Sequence, residues 1–126
     1  MKKLIFLTIL FPLISFSQGI LSDKTEFSRQ DTLRGSITKE RSWWDLNRYH
    51  LDISVNPEQR SISGSNKISY TVLKPYDVMQ IDLQTPLKLT KAVQDNSELE
   101  IINDGNAHFI KLKKQQNIGS KEEITV

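Results

Sequence analysis

The sequence contains no cysteine, no apolar run long enough to span a membrane, and only two histidines, His50 and His108, among its 126 residues. Without cysteine no disulfide can form, so a stable fold must come from a packed core. No stretch has the apolar spacing and the end caps of a convincing amphipathic helix. These absences exclude a disulfide scaffold and disfavour a helical domain.

The first residues have the pattern of a secretory signal peptide, predicted at residues 1–17. Two lysines precede an apolar run over residues 4–16, and Ser15 and Ser17 occupy the small-residue positions of a signal-peptidase site before Gln18. The apolar run has about 13 residues, whereas a membrane-spanning helix needs roughly 20. We therefore predict export to the periplasm or the extracellular space, with no membrane anchor after signal cleavage.

The positive charge of the chain comes from this leader. The whole sequence has 17 basic and 15 acidic residues, for a net charge of +2. Removing Lys2 and Lys3 leaves 15 basic residues against the same 15 acidic ones. A nucleic-acid-binding surface needs an excess of positive charge to bind phosphates, so we predict no nucleic-acid partner.

Residues 18–42 are polar, and their few apolar side chains have no regular spacing. This pattern predicts an exposed or loosely docked lead-in. Trp43 and Trp44, the only tryptophans, follow it directly. We expect one ring to pack on the domain and fasten the entering strand, while the other covers a neighbouring surface. Paired aromatic rings can also stack on sugars or anchor a partner, and this alternative stays open here.

Residues 49–72 have the two-residue repeat of a β-hairpin. The apolar face of the first strand consists of Tyr49, Leu51, Ile53 and Val55. After a turn at residues 56–60, the return strand continues the phase with Ile62, Ile68, Tyr70 and Val72. Gly64 interrupts the return strand, which indicates a bulge or a close backbone approach.

The same alternation continues to the end of the sequence. Met79, Ile81 and Leu83 alternate with Gln80, Asp82 and Gln84, and Leu87, Leu89 and Val93 resume the strand pattern after Pro86. Asp104-Gly105 predicts a tight hairpin turn, and residues 122–126 are typical of a strand that has only begun. About seven short strands predict an all-β fold, an antiparallel sheet or sandwich.

This fold would bury one sheet face and leave the other exposed to solvent. We therefore expect aspartate in place of Leu51 or Ile81 to destabilise the domain by several kcal/mol, and aspartate in place of Ser54 or Gln80 to cost little.

The order of these segments resembles the start of the N-terminal β-domain of the aminopeptidase N family of zinc metallopeptidases. The similar segments are "YHLDISV", "SISGSNKISYTV", "MQIDLQTPLKLTKAV", a glycine-turn hairpin and the final "ITV". The "WWD" and "MQIDLQ" segments are most similar to secreted bacterial members. The resemblance covers residues 43–126 and implies part of a saddle-like β-domain, truncated before that domain is complete.

The resemblance also implies where the chemistry of the parent protein lies. Family members hydrolyse peptide bonds with a zinc ion held by an H-E-x-x-H helix and a further glutamate. No such motif occurs here, and no functional position of the family maps onto this sequence. We therefore expect no catalytic, cofactor-binding or metal-binding residue in this segment, with zinc in the missing catalytic domain.

The polar side chains that could form a metal site, a catalytic triad or an anion site are weak candidates. His50 and Asp52 lie two residues apart on one strand face, but two ligands make a poor zinc site. Ser63, His108 and Asp104 have the residue types of a catalytic triad without any nucleophile-elbow motif. Lys111, Lys113 and Lys114 are more typical of a solvated strand face than of an anion site.

Two functions remain open at this stage. The first is a non-catalytic piece of an exported zinc aminopeptidase, whose partners are the catalytic domain of the same chain and the peptide substrate. The alternative is a free-standing secreted β-sandwich that binds or adheres through Trp43 and Trp44. Because the core is small and lacks disulfides, we expect residues 18–126 alone to aggregate or to be loosely ordered.

Overall fold

A computed structural model describes residues 26–126, which contain two short helices and eight strands. The predicted signal peptide lies outside the described residues. The elements are α1 (Arg29–Gly35), α2 (Lys39–Ser42), β1 (Trp44–Asn56), β2 (Ser61–Val72), β3 (Val78–Asp82), β4 (Val93–Gln94), β5 (Ser97–Glu98), β6 (Glu100–Asp104), β7 (Ala107–Lys111) and β8 (Lys121–Thr125). The fold is all-β, as predicted from the alternation.

The strands form two antiparallel sheets. The larger sheet has the order β1-β2-β8-β4-β5, and the smaller has the order β3-β7-β6. β8 contains the residues expected to be the beginning of a strand, and it pairs with both β2 and β4. The last predicted strand is therefore the central strand of the larger sheet.

The long β1–β2 hairpin confirms the predicted phase. Val55 lies opposite Ile62 and Tyr49 lies opposite Ile68, so the apolar residues of both strands share one face. The side-chain oxygen of Asn56 accepts a hydrogen bond from the amide of Gln59 at 2.9 Å and stabilises the predicted turn.

Two further hairpins have two-residue turns. In the β6–β7 hairpin Asp104 lies opposite Ala107, so the turn residues are Gly105 and Asn106, one position later than predicted. Gly105 has a φ of 61°, a conformation that glycine adopts without steric cost. The β4–β5 turn uses Asp95 and Asn96, both with positive φ.

The expected strand around Leu87 and Leu89 does not form. Residues 83–92 contain no strand among the described elements, and β4 begins only at Val93. Leu87 is exposed, while Leu89 packs against the core from a loop. Alternating apolar residues indicated a strand here, but the segment instead covers one end of the core.

One hydrophobic core joins the two sheets. Its largest fully buried side chains are Trp43, Ile68, Tyr70, Val72, Met79, Ile110 and Ile124, which come from both sheets and from the junction of α2 with β1. These side chains belong to a single packed cluster. The sheets are thereby held together without any covalent cross-link.

The described part of the lead-in, residues 26–42, contains two short helices and docks on the smaller sheet, whereas a loosely docked segment without helices was expected; residues 18–25 lie outside the described residues. Ser28 and Asp31 form a capping box that starts α1, and Leu33 is buried. Helix α1 contacts β7, and α2 contacts β3. Seven- and four-residue helices are too short to produce a recognisable apolar repeat, so periodicity missed them.

Two of the expected burials are reversed in the structure, one of them by this docking. Gln80 is only 2% exposed, because the lead-in covers the face of β3 that was expected to be wet. Its amide nitrogen donates to the carbonyl oxygen of Leu33 at 3.1 Å and to Asp82 Oδ1 at 2.8 Å. Leu51, expected to be buried, is 59% exposed, because the outer part of the hairpin projects beyond the core.

The burial of Gln80 gives a prediction opposite to the one from strand alternation, which placed this residue on the solvent-exposed face. We expect Gln80→Asp to lower the free energy of unfolding by about 2–4 kcal/mol, because it removes buried hydrogen bonds and places a second carboxylate beside Asp82. The matched control, Ser54→Asp on the exposed hairpin, should change it by no more than about 0.5 kcal/mol. Urea unfolding followed by circular dichroism measures both, and equal losses would contradict the observed burial.

Candidate functional site

A groove of about 500 Å³ opens beside the outer half of the β1–β2 hairpin. One wall is the apolar face and edge of the hairpin, and the other is the loop that follows β3. The lining residues are Leu51, Ile53, Ile62, Ser63, Gly64, Ser65, Asn66, Leu83, Pro86, Leu87, Lys88, Leu89, Thr90 and Val126. The volume lies within the usual range of ligand pockets, about 300–1,000 Å³, and the lining is largely apolar, as is usual for such pockets.

The groove exists because β1 and β2 are longer than the strand beside them. β8 pairs with β2 over Lys67–Thr71, and Val126 adds a last pair with Asn66. Beyond this point the apolar face of the hairpin has no cover among the described residues. Val55 is 65% exposed and Ile62 is 51% exposed. Contiguous exposed apolar residues of this kind are typical of an interaction surface.

Gly64 lies where β2 passes close to the backbone of β1. A Cβ atom at this position would overlap the backbone carbonyl oxygen of Asp52 on the neighbouring strand. This confirms the predicted close backbone approach, while the irregularity of the β1–β2 register lies elsewhere, between Leu46 and Arg48. Only glycine fits the hairpin in this geometry.

The structure does not assemble a metal site from His50 and Asp52. Both residues are exposed on β1, and His50 Nδ1 lies 3.5 Å from a guanidinium nitrogen of Arg48. Within residues 26–126, no group of three or more histidine, cysteine, aspartate or glutamate side chains could hold a metal ion.

Ser63, His108 and Asp104 are not brought together as a triad. Ser63 lies on the exposed part of β2 in the larger sheet, whereas His108 is buried in the smaller one. The His108 Nδ1 atom lies 2.6 Å from Asn103 Oδ1, and the Asp104 carboxylate binds Arg29 at 2.7 Å. The side chains of Lys111, Lys113 and Lys114 are exposed, but the predicted strand face is wrong for Lys113 and Lys114, because β7 ends at Lys111.

Both tryptophans pack against other parts of the domain, which is the first of the two roles expected for the pair. Trp43 is 1% exposed, and its indole nitrogen donates to the carbonyl oxygen of Val78 at 2.8 Å. Trp44 is half-buried against the core and donates to the carbonyl oxygen of Glu40 at 3.2 Å. Both rings meet Tyr70 edge to face, with centroids 5.8 Å apart. Trp43 therefore offers no surface to a ligand.

Polar contacts fasten the lead-in to the smaller sheet. Arg41 forms an ion pair with Asp82, and Arg29 forms another with Asp104. The Gln30 carboxamide donates to Asp104 Oδ1 at 2.7 Å and accepts from the amide of Asn106 at 3.3 Å, so it caps the β6–β7 turn. No periodicity in the sequence identifies these long-range pairs.

The carboxyl group of Glu40 has a lowered pKa. Partial burial acts to raise this pKa from 4.5, but hydrogen bonds from its own backbone amide, Thr38 and Tyr76, together with the Lys39 charge, outweigh burial. Tyr76 Oη lies 3.2 Å from Glu40 Oε1. The ionised carboxylate therefore contributes to the docking of α2.

Sequence reasoning missed a buried polar network on the core face of the larger sheet. The Tyr70 hydroxyl donates to Gln116 Oε1 at 2.8 Å and accepts from the Gln94 amide at 3.0 Å. Burial raises the pKa of Tyr70 above 10.0. Gln94 lies in the two-residue strand β4 and Gln116 in the loop between β7 and β8, and neither segment is long enough for its side-chain alternation to indicate burial.

No protein-family model matches this chain, and neither a curated protein nor a solved structure matches it significantly. The resemblance to the aminopeptidase N family therefore stays a prediction that depends on the quoted segments. Neither helix within residues 26–126 is long and apolar enough to cross a bilayer.

The lowered pKa of Glu40 predicts an acid-sensitive lead-in. Because the folded pKa lies below the unfolded value, this stabilisation is present above the unfolded pKa of about 4.5 and is lost as the pH falls through the folded pKa. Glu40→Gln should lower the urea midpoint at about pH 6 and have a smaller effect at about pH 3. The exposed Glu58→Gln serves as the control, and an equal effect of Glu40→Gln at both pH values would argue against this role.

The close approach at Gly64 gives a second prediction for this site. Gly64→Ala should lower the free energy of unfolding by about 1–3 kcal/mol, because the new methyl group forces the two hairpin strands apart. Ser63→Ala, on the neighbouring exposed position, should be close to neutral. Urea unfolding of the two variants measures the difference, and a neutral Gly64→Ala would be inconsistent with the observed strand spacing.

Proposed function

We propose that this chain is a non-catalytic β-domain segment of an exported zinc aminopeptidase, and that its role is to act as a scaffold. The observation that carries the proposal is the uncovered apolar face of a hairpin whose inner half belongs to a well-packed core. Such a face is suited to contact with further polypeptide. The order of strand segments, which resembles the N-terminal domain of the aminopeptidase N family, supports the identity of the parent protein.

In this proposal peptide hydrolysis belongs to the parent protein. Zinc would be bound in its catalytic domain by an H-E-x-x-H helix, with the first glutamate activating the zinc-bound water. The partners of the present segment are then that catalytic domain and, in the parent, the peptide substrate. The site of action is the periplasm or the extracellular space, consistent with the leader pattern at residues 1–17.

The second candidate is a free-standing secreted β-sandwich that binds a partner. The groove favours this function more than the tryptophans do, because the Trp43 ring is enclosed by the core and Trp44 is half-buried. A binding module of this kind would use Leu51, Ile53 and Ile62 as its contact surface. The two candidates differ in whether the gene continues beyond Val126 into a catalytic domain.

Activity measurements test the proposal. We expect purified residues 18–126 to hydrolyse no aminoacyl p-nitroanilide with or without added zinc, because the zinc ligands and the general base belong to the catalytic domain. The extended gene product should release p-nitroaniline in a zinc-dependent manner and lose this activity with a chelator.

DNA sequencing downstream of Val126 provides the matching control. An open reading frame that continues into an H-E-x-x-H motif supports the scaffold. A stop codon directly after Val126, together with a stable isolated product, would favour the binding module. Zinc-dependent turnover by residues 18–126 themselves would overturn the proposal.

A further inference from the structure

Strand β1 forms one edge of the larger sheet. It pairs with β2 on one side, and no described strand pairs with its other side. An uncovered edge strand presents unpaired amide and carbonyl groups, which are a template for pairing with another strand. β1 has 13 residues and contains no proline, so this edge is long and has no residue that lacks an amide hydrogen.

The pairing of β2 shows which backbone groups of β1 are unpaired. Asn66 exchanges two backbone hydrogen bonds with Val126, at 2.8 and 2.9 Å, so the odd-numbered residues beside Asn66 direct their backbone groups toward β1. Lys67 lies opposite His50, so the even-numbered residues of β1 beyond its bulge bond to β2. The amide and carbonyl groups that point out of the sheet belong to the odd-numbered residues Tyr49, Leu51, Ile53 and Val55.

Two opposite charges lie four residues apart on the exposed face of β1. Arg48 and Asp52 are both exposed, and within residues 26–126 neither of them forms an ion pair. The Arg48 guanidinium lies 3.5 Å from Nδ1 of His50, the residue midway between the two charges. A strand with this charge pattern is complementary to a second copy of itself in the antiparallel direction.

We propose that the outer edge of β1 pairs antiparallel with β1 of a second copy of this chain, about a two-fold axis at His50. Residues equally distant from His50 on its two sides then lie opposite each other, so Arg48 faces the partner's Asp52 and Asp52 faces the partner's Arg48. These residues form pairs without mutual backbone hydrogen bonds, in which opposite side chains are closest. The proposal goes beyond the scaffold role, because it depends on β1 alone and not on a catalytic domain.

The charges select this register over its neighbours. A two-fold axis at Asp52 would place this carboxylate opposite its own copy, and like charges directly opposite each other are destabilising. An axis at Leu51 would place Asp52 opposite the partner's His50 and Arg48 opposite the partner's Ser54, so the two full charges would no longer face each other. Charged residues commonly protect an edge strand from pairing, but on β1 they match in one self-paired register.

The bulge of β1 limits the length of this ladder. The register with β2 shifts between Leu46 and Arg48, so regular pairing about His50 includes residues 48–52 of each copy. Tyr49 exchanges backbone hydrogen bonds with the partner's Leu51, and the symmetry repeats this exchange, which gives about four bonds in all. A ladder of this size corresponds to a weak dimer that forms at high protein concentration.

Sedimentation velocity of the full chain, produced with its own leader, tests the proposal. We expect a monomer–dimer equilibrium with a Kd between about 10 µM and 1 mM at neutral pH, as for other small interfaces. Arg48→Asp and Asp52→Arg should each weaken self-association by about tenfold or more, because each replaces two attractive pairs with two repulsive ones. An equimolar mixture of the two variants should restore association, because each facing pair in the mixed dimer again joins a positive and a negative side chain.

Arg60→Asp and Glu58→Arg are the matched controls. They change the net charge by the same amounts at exposed positions in the turn of the same hairpin, outside residues 48–52. We expect both controls to self-associate as the unchanged chain does. Circular dichroism of the four variants verifies that each keeps its β structure.

Amide hydrogen exchange measured by NMR identifies the paired edge. As the protein concentration rises through the Kd, exchange of the Tyr49 and Leu51 amides should slow by about threefold or more. The Val55 amide, which lies beyond the ladder, and the His50 amide, which bonds to β2, should keep the same exchange rates at all concentrations.

Several results would overturn the proposal. These are a monomer at every concentration up to about 1 mM, a ladder variant that self-associates as strongly as the unchanged chain, and a mixture of the two variants no more associated than its components. Large aggregates that the charge changes do not affect, or protection of Val55 without protection of Tyr49 and Leu51, would also contradict it, because the contact would then lie elsewhere. None of these measurements depends on peptidase activity, so they are independent of the proposed parent protein.

Discussion

The structure depends on the placement of Trp43 at the point where the lead-in becomes the first strand. Its indole nitrogen donates to Val78 at the start of the smaller sheet, and its ring packs on Tyr70 of the larger sheet. Its carbonyl oxygen accepts from the amides of Leu73 and Lys74 at 2.7 and 3.0 Å, which directs the chain as it leaves β2. One buried residue thus connects the lead-in and both sheets, and the chain has no disulfide that could replace it.

Around this tryptophan the interior is stabilised by satisfied polar groups as well as by apolar contacts. The hydroxyl of Tyr70 links Gln94 to Gln116, and Gln80 joins β3 to the lead-in. A buried amide or hydroxyl group without a partner costs about 1–3 kcal/mol, so these residues also restrict the alternative packings of a small core. The polar contacts explain how short helices and two-residue strands keep fixed positions.

Alternation of side chains was sufficient to predict the all-β class and the long hairpin, and the interrupting glycine indicated a bulge or a close approach at Gly64, of which the structure shows the close approach. It failed where tertiary contacts decide burial. Gln80 is covered by helices too short to have a periodic pattern, while Leu51 has the right phase but projects beyond the core. The absence of an assembled triad from Ser63, His108 and Asp104 agrees with the lack of motif spacing in the sequence. The groove was not predictable, because it depends on where β8 stops beside β2.

The same difference in strand length links the fold to the proposed scaffold role. The inner half of the hairpin is stabilised by the core, and the outer half leaves an apolar face exposed. In this interpretation the chemistry of the parent protein lies elsewhere in the polypeptide, and the aromatic residues of this segment serve its stability. The alternative, a free-standing binding module, would use the exposed face of the hairpin for contact with its ligand and would likewise leave Trp43 in the core.

Replacement of the two tryptophans tests most directly whether Trp43 holds the two sheets together. Urea unfolding followed by circular dichroism should show that Trp43→Ala lowers the free energy of unfolding by about 3–5 kcal/mol, because it removes a fully buried ring. Trp44→Ala, at the half-buried position, should cost about 1–2 kcal/mol. Trp43→Ala with an unchanged unfolding midpoint would contradict the account, because a ring that can be removed without loss of stability does not hold the two sheets together.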